Sequence, residues 1–219
     1  MMFEDLELKG QISLSIDEYQ ELLDERDRKL YLYGGIKSAD ELDYVGKTPT
    51  AKIAEAITRY NEQDYGRPVE KRKPILLFIN SPGGDSNDGF SLVDAIKISN
   101  TPVYTINVGQ WSSMSFLIGI TGKKRLSYED ATFLLHDGIS YAGGSTNKVQ
   151  DTIKFDEKYE KEKVKPHILS HSLMTEEEYE ANKRKELYMT AEQALERGFI
   201  DEIVTNVDTI LSLQKTTSV

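Results

Sequence analysis

The stretch that decides the fold is residues 109–119, which reads Gly-Gln-Trp-Ser-Ser-Met-Ser-Phe-Leu-Ile-Gly. Residues 102–108 before it are rich in β-branched and aromatic side chains, a pattern that predicts a buried strand. Gly109 predicts a tight turn, and residues 112–120 predict a buried helix that begins with serines. Backbone N–H groups at a helix start can stabilise a developing oxyanion. Serine is also a favoured N-cap residue, so this stretch alone favours a structural junction.

Length and composition indicate one soluble domain with a substantial core. The chain has 219 residues, 38% of them hydrophobic, and its longest apolar runs, residues 75–79 and 116–120, are too short to cross a bilayer. It carries 27 basic and 37 acidic side chains, a net charge of −10, which argues against nucleic acid as the main partner. There is no cysteine, so disulfides, thiolate nucleophiles and Cys-ligated zinc are excluded.

The sequence shows no recognisable targeting signal and no phosphate-binding motif. The first residues are acidic and lack the basic and apolar parts of a secretory signal, so we expect a cytoplasmic protein without a membrane anchor. No phosphate-binding P-loop pattern occurs, so we do not expect the chain to hydrolyse ATP by that route.

Strand and helix patterns alternate along the chain. Short apolar runs predict strands at residues 30–33, 75–79, 103–108, 125–127, 132–135, 187–189 and 199–204. Capped amphipathic segments between them predict helices, which begin near Ser15, Thr48, Asp88, Thr175 and Thr190. This alternation predicts an α/β core in which helices cover a largely parallel sheet.

The domain limits follow from charge and composition. Residues 1–219 are expected to form a single domain, with an N-terminal segment at 1–14 and a loosely held tail at 206–219. Residues 146–165 interleave Lys and Glu around sparse apolar positions, which predicts a projecting or partner-seeking helix. Pro166 should kink or interrupt it. The projecting region as a whole spans about residues 146–174.

Three histidines are present, and only His136 follows an apolar strand, where a sheet delivers side chains to a site. His167 and His171 are four residues apart, but without a third ligand we interpret them as exposed, solvated histidines and not a metal site. A catalytic serine needs a base, and an acid that orients the base. The residues offer Ser113 and His136 on separate strand ends and leave the acid open.

Four ordered segments together make the chain similar to the proteolytic subunit of the Clp protease. They are Asn-Ser-Pro-Gly-Gly at 80–84, Gly-Gln-Trp-Ser-Ser-Met-Ser-Phe-Leu-Ile at 109–118, Phe-Leu-Leu-His at 133–136, and the closing segment at 187–201. The resemblance covers roughly residues 22–204. It implies a crotonase-like fold of repeated ββα units with a projecting handle helix from Thr146 onward.

The resemblance also implies the site and the reaction. Ser113 matches the nucleophile and His136 the general base, while Gly84 and Met114 match the two backbone N–H donors of the oxyanion hole. The triad acid falls on Glu186, where the family has aspartate; glutamate can serve in this role. The implied reaction is hydrolysis of peptide bonds in unfolded polypeptides, without a cofactor. It would take place inside heptameric rings, usually stacked to a tetradecamer and fed by a separate AAA+ unfoldase.

The chain departs from the family at several positions. Trp111 stands where the family has a small residue, Ser115 where it usually has glycine, and Asp137-Gly138 replaces a residue-proline pair. These departures suggest a divergent member, such as a phage-borne or second-copy subunit. Three alternatives therefore stay open: a phage head-maturation protease, a catalytically inactive ring subunit, and an acyl-CoA enzyme of the same fold. Asp137 is the alternative triad acid, although a neighbour on a strand points to the opposite face.

Overall fold

The computed structural model describes residues 15–37, 47–138 and 142–214. The N-terminal segment predicted at 1–14 lies outside these residues, as do residues 139–141 of the glycine-rich loop and the last five residues of the predicted tail.

Strands and helices alternate as the sequence predicts. The strands are β1 Lys29–Tyr33, β2 Ile75–Ser81, β3 Val103–Ser112, β4 Lys124–Tyr128, β5 Thr132–Leu135, β6 Leu187–Met189 and β7 Glu202–Val204. The helices are α1 Ile16–Asp27, α2 Pro49–Gln63, α3 Ser86–Ile98, α4 Met114–Ile120, α5 Thr146–Tyr159, α6 Lys165–Ser170, α7 Glu176–Asn182, α8 Ala191–Glu196 and α9 Val207–Ser212. A short 3₁₀ turn, Val69–Lys71, precedes β2, and a π-helical turn, Glu160–Val164, joins α5 to α6.

The sheet runs in the order β1-β2-β3-β4-β7, with all of these pairs parallel. The far end of β3 leaves this path: its residues Gln110 to Ser112 pair in parallel with β5, which then pairs antiparallel with β6. The α/β prediction is confirmed. Strands β5 and β6 form a small branch beside the end of β3, and this branch bears the candidate catalytic residues described below.

The main core lies between the sheet and the helices, where alternate residues of β2 such as Ile75, Leu77 and Ile79 are completely buried. Burial on this scale is the principal source of stability in a domain of this size. Leu76 and Phe78 point to the other face, where they form a smaller cluster with Ile106 and Leu126. β2 is therefore buried on both faces, which explains why its sequence is a continuous apolar run.

Trp111, an unusual residue for its position, is fully buried in the main core. Its indole packs edge-on against Phe133, with ring centroids 5.4 Å apart. A Cβ atom at Gly119 would collide with the same indole. The large indole fits because Gly119, on the helix that follows, has no side chain in that space.

The turn predicted at Gly109 is wrong, because β3 continues through this residue to Ser112. The chain instead turns at Ser113, and the helix begins at Met114, not at Ser112. A Cβ atom at Gly109 would lie 2.5 Å from Asn80 Oδ1. Gly109 is thus needed for the close approach of Asn80, and pairing with β5 keeps the strand extended beyond it.

The charged handle is confirmed as a helical region, but Pro166 does not interrupt it. Pro166 lies in the first turn of α6, directly after the π-helical turn Glu160–Val164. The widened π turn changes the hydrogen-bond register just before proline, which has no N–H to donate. No residue of α5 is buried in the single subunit, and the Phe155 side chain stands 64% exposed.

The loose tail predicted after Asn206 is wrong for residues 207–214. The Asn206 side chain accepts a hydrogen bond from the Asp208 N–H and so caps α9. Ile210 and Leu213 pack on the outer apolar cluster of the sheet, and the Gln214 amide donates to the carbonyl oxygens of Asp27 and Pro74. Packing against a distant surface, which local composition does not encode, orders this segment.

His167, predicted to be exposed, is only 4% exposed. Its Nε2 lies 3.1 Å from the carbonyl oxygen of Leu117 on α4 and 3.2 Å from Oγ1 of Thr121, the residue that follows α4. Its Nδ1 is buried without a hydrogen-bond partner in the described part of the chain. Burial lowers the pKa of His167 to about 4, and the nearby His171 and Lys97 act in the same direction.

This burial predicts a loss of stability in mild acid. The pKa of this histidine is near 6.5 in the unfolded chain and near 4 in the folded one, so it stabilises the folded state fully above pH 6.5. That stabilisation is lost as the pH falls toward 4. From pH 7.5 to pH 5 the free energy of unfolding should fall by about 2 kcal/mol from this group alone. Urea unfolding of the wild type and of His167→Gln at both pH values measures this. An equal fall in the two proteins would contradict the assignment.

A buried ion pair connects the N-terminal part of the chain to the core. Arg28 donates from Nη1 to Asp64 Oδ2 at 2.6 Å and from Nη2 to Asp64 Oδ1 at 3.0 Å, and both residues are buried. Thr101 Oγ1 donates to the same carboxylate at 3.0 Å, and Arg28 also donates to the Lys73 carbonyl oxygen at 2.9 Å. The carboxylate therefore joins the start of β1 to the end of α2 and to the turn before β3.

Removal of this carboxylate should be strongly destabilising. We expect Asp64→Ala to lower the free energy of unfolding by about 3–5 kcal/mol, because it leaves the Arg28 guanidinium buried without its counter-charge. The exposed pair Lys124–Glu202, 2.8 Å apart, is the matched control, and Glu202→Ala should cost under about 1 kcal/mol. Denaturant titration of both variants measures the difference. Similar losses in the free energy of unfolding would show that the buried Arg28–Asp64 pair stabilises the fold no more than an exposed pair does.

Candidate active site

Ser113 occupies a strained turn between β3 and α4. Its backbone has φ 56° and ψ −126°, and Arg28 is the only other non-glycine residue with positive φ in the described ranges. Such backbone geometry costs about 1–3 kcal/mol and concentrates at functional sites. Ser113 is partly exposed, whereas its neighbours Ser112, Met114 and Ser115 are buried. Of the three serines in this stretch, the turn gives the most exposed position to Ser113.

The branch β5–β6 brings His136 and Glu186 together. Leu135 pairs with Leu187 in the antiparallel ladder, so the residues just beyond the pair, His136 and Glu186, meet at the same edge. His136 Nδ1 lies 3.1 Å from Glu186 Oε1. The Ser113 N–H donates to the Leu134 carbonyl oxygen at 2.9 Å, which fixes the serine turn beside the strand that ends at His136.

The two nitrogen atoms of His136 have different surroundings. Nδ1 is bonded to the carboxylate, which favours the tautomer with the proton on Nδ1. Nε2 is buried and has no hydrogen-bond partner in the described segments. An unprotonated, unpartnered Nε2 is the form that can take a proton from a nucleophile. Asp137 is exposed, and the structure records no hydrogen bond from it to His136.

The Pro82-Gly83-Gly84 turn lies against the serine turn. A Cβ atom at Gly83 would lie 2.8 Å from Ser113 Cβ and 2.9 Å from the Met114 backbone nitrogen, so only glycine allows this approach. Gly84 pairs with Ile36 in an isolated parallel bridge. That bridge uses the Gly83 carbonyl oxygen and the Asp85 N–H, so it does not involve the Gly84 N–H.

The structure thus brings His136 and Glu186 into contact and places Ser113 beside β5, while the turn that contains Gly84 lies against Met114. Within the described residues, no hydrogen bond joins Ser113 to His136 Nε2. The motif comparison missed the role of Gly83, the glycine in direct contact with Ser113, although the doubled glycine was a signal for it. It also missed Ser115, because no local pattern distinguishes a capping serine from one whose hydroxyl lies 2.6 Å from the carbonyl oxygen of the distant Ser81.

Within residues 15–37, 47–138 and 142–214, no three His, Cys, Asp or Glu side chains are grouped to hold a metal ion. Over the same ranges, none of the helices combines the length and the apolar composition that a bilayer span requires.

Comparison with known proteins shows similarity over about two thirds of the chain. The family model described as Clp protease matches residues 65–207, about two thirds of the chain. The ATP-dependent Clp protease proteolytic subunit of Streptococcus gordonii is 31% identical over 140 residues, which cover 63% of this chain and 71% of that protein. The protein of the same name from Streptococcus pneumoniae is 30% identical over 140 residues, with the same coverage of both chains. Because the family model matches more than half of its length, the chain belongs to the Clp protease family.

Proposed function

We propose that the chain is a serine endopeptidase, the proteolytic subunit of a ring-shaped, ATP-dependent protease. The observation that carries the proposal is the hydrogen bond between His136 Nδ1 and Glu186 Oε1, beside a serine held in a strained strand-to-helix turn. This arrangement supplies a nucleophile, a base and a group that orients the base.

In this mechanism Ser113 Oγ attacks the carbonyl carbon of the peptide bond, and its proton moves to His136 Nε2. The negative charge that develops on the carbonyl oxygen is stabilised by the N–H groups of Gly84 and Met114. The C–N bond then breaks, and the amine leaves with the proton from His136. A water molecule then attacks the carbonyl carbon of the acyl-serine, with His136 again as base. The ester bond breaks, which releases the carboxylic acid and returns the proton to Ser113.

Glu186 contributes to these reaction steps through His136. Its carboxylate holds the imidazole in the tautomer that leaves Nε2 free, and it stabilises the imidazolium formed in each step. The Glu186 side chain is 54% exposed, whereas that of His136 is 16% exposed. The acid is therefore reached from solvent while the base is sheltered.

The name of the relatives, ATP-dependent Clp protease proteolytic subunit, supports a subunit that assembles with others and works with an ATP-driven partner. We propose heptameric rings, stacked in pairs to a tetradecamer, that receive unfolded polypeptides from a separate AAA+ unfoldase. Phe155 and Ile153 are exposed on α5, none of whose residues is buried, and this supports contacts between subunits there.

Native mass spectrometry after treatment with a fluorophosphonate probe tests the proposal. The expected result is a multiple of seven subunits of 24.9 kDa, with one probe bound per subunit. An unlabelled ring would identify an inactive ring subunit, and a labelled species of one subunit only would overturn the assembly. Cleavage of an unfolded protein that requires an added unfoldase hexamer would separate degradation from capsid maturation.

A further inference from the structure

Ser115 connects the two segments that border the candidate site. Its side chain is completely buried in the first turn of α4. The hydroxyl accepts a hydrogen bond from the Ser112 N–H at 2.9 Å and lies 2.6 Å from the Ser81 carbonyl oxygen. The Ser112 carbonyl oxygen is 2.9 Å away. Because a hydroxyl has one proton to donate, the shorter contact identifies Ser81 as its acceptor.

Each connected segment supplies one proposed oxyanion donor. Ser81 is the last residue of β2 and leads directly through Pro82 and Gly83 to Gly84. Ser112 is the last residue of β3 and leads through Ser113 to Met114. The Ser115 hydroxyl therefore spans the gap between the strand ends just before the two N–H groups.

The sheet itself holds these ends less firmly than its centre. The parallel pairing of β2 and β3 is regular from Ile75 to Ile79, but the register shifts between Ile79 and Ser81, where Ser81 lies opposite Trp111. A register shift interrupts the regular backbone hydrogen bonds and allows the strand to bend. At this irregular point the side chain of Ser115 supplies a hydrogen bond between the two strand ends.

We propose that Ser115 is a positioning residue that sets the separation of the Gly84 and Met114 N–H groups in the oxyanion hole. The inference rests on the proposed function. Ser115 touches neither the substrate nor the reacting atoms; it acts by fixing the two segments that do. A purely local capping role does not explain the contact, because the hydroxyl reaches a carbonyl oxygen 34 residues away in sequence.

Loss of the hydroxyl should therefore lower turnover more than substrate binding. Removal of one complete oxyanion donor costs about 10²–10³ in kcat, and a misplacement of both donors by a fraction of an ångström should cost less. We expect Ser115→Ala to lower kcat about tenfold, with KM changed less than twofold. The pH at half-maximal kcat/KM should not move, because His136 and Glu186 are untouched.

Thr121→Val is the matched control. Thr121 is also buried, but it follows the end of α4 that is far from Ser113. Its Oγ1 donates to the Leu117 carbonyl oxygen at 2.7 Å and lies 3.2 Å from His167 Nε2. Both substitutions remove one buried hydroxyl, so both should lower the melting temperature of the assembled protein by similar amounts. Only Ser115→Ala should lower kcat. Ser115→Gly repeats the test if the alanine variant does not fold.

The outcomes separate the inference from the function on which it rests. A wild type that neither reacts with the fluorophosphonate probe nor cleaves a peptide would remove the proposed function, and the inference with it. If the wild type is active and the kcat of Ser115→Ala equals that of Thr121→Val, the inference alone is overturned. An unchanged kcat with a raised KM would also overturn it, since that would indicate loss of substrate binding.

Discussion

Ser113→Ala should abolish labelling by a fluorophosphonate probe and lower kcat by about six orders of magnitude. Loss of the nucleophile in another serine protease has an effect of this size. The physical reason is that Ser113 alone of the three serines is partly exposed at the strained turn, while Ser112 and Ser115 are buried. Mass spectrometry of the labelled protein and hydrolysis of a fluorogenic peptide measure the two effects.

The neighbouring serines are the controls for this result. Ser112→Ala should retain labelling, and Ser115→Ala should retain it at a reduced rate. Labelling that survives in Ser113→Ala, or is lost in Ser112→Ala, would show that another hydroxyl is the nucleophile.

A stability measurement strengthens the same test. Ser113→Gly also removes the nucleophile, but glycine adopts a φ of 56° without the strain that a side chain imposes. The glycine variant should therefore be inactive and yet more stable than Ser113→Ala, by about 1 kcal/mol. An inactive variant that is more stable than its alanine counterpart would indicate that the strain is maintained for function.

Glu186→Gln should lower kcat by up to about four orders of magnitude while leaving the fold intact. The amide retains a similar shape, but it removes the charge that stabilises the imidazolium and can favour the wrong tautomer of His136. The 3.1 Å contact between His136 Nδ1 and Glu186 Oε1 motivates this expectation. Steady-state kinetics of the variant, with circular dichroism to check the fold, measures it.

Glu186→Asp is the sharper variant, because the shorter carboxylate can reach Nδ1 only if the start of β6 moves toward His136. Substantial activity would show that the edge of the sheet adjusts, and a loss close to that of Glu186→Gln would show that the site is built for glutamate. Asp137→Asn is the control, since Asp137 has no recorded bond to His136. An inactive Asp137→Asn beside a fully active Glu186→Gln would assign the acid to Asp137.

Local sequence signals predicted most of the architecture correctly. The Thr48 and Thr190 side chains accept hydrogen bonds from backbone N–H groups at the starts of α2 and α8, as their sequence patterns indicate. The apolar run at 75–79 became a strand buried on both faces. These features depend on neighbours within four residues or on the alternation of side chains, so the sequence expresses them directly.

The candidate site was predicted in part. Motif order indicated Ser113, His136 and Glu186, but the single sequence could not show that His136 and Glu186 meet beside the turn at Ser113. That meeting depends on β5 and β6 pairing at the end of β3, an arrangement of contacts far apart in sequence. The positive φ at Ser113 likewise follows from the strand continuing past Gly109, where the sequence indicated a turn.

The sequence by itself determined the alternation of strands and helices, the family, and the identity of the candidate catalytic side chains. Tertiary structure alone decided that His167 is buried against α4, that α9 packs on the outer sheet face, and that Ser115 bonds to Ser81. The physical reason is the range of the interactions. Capping and periodicity act between near neighbours, whereas burial and a bridging hydroxyl depend on which distant segments the completed sheet brings into contact.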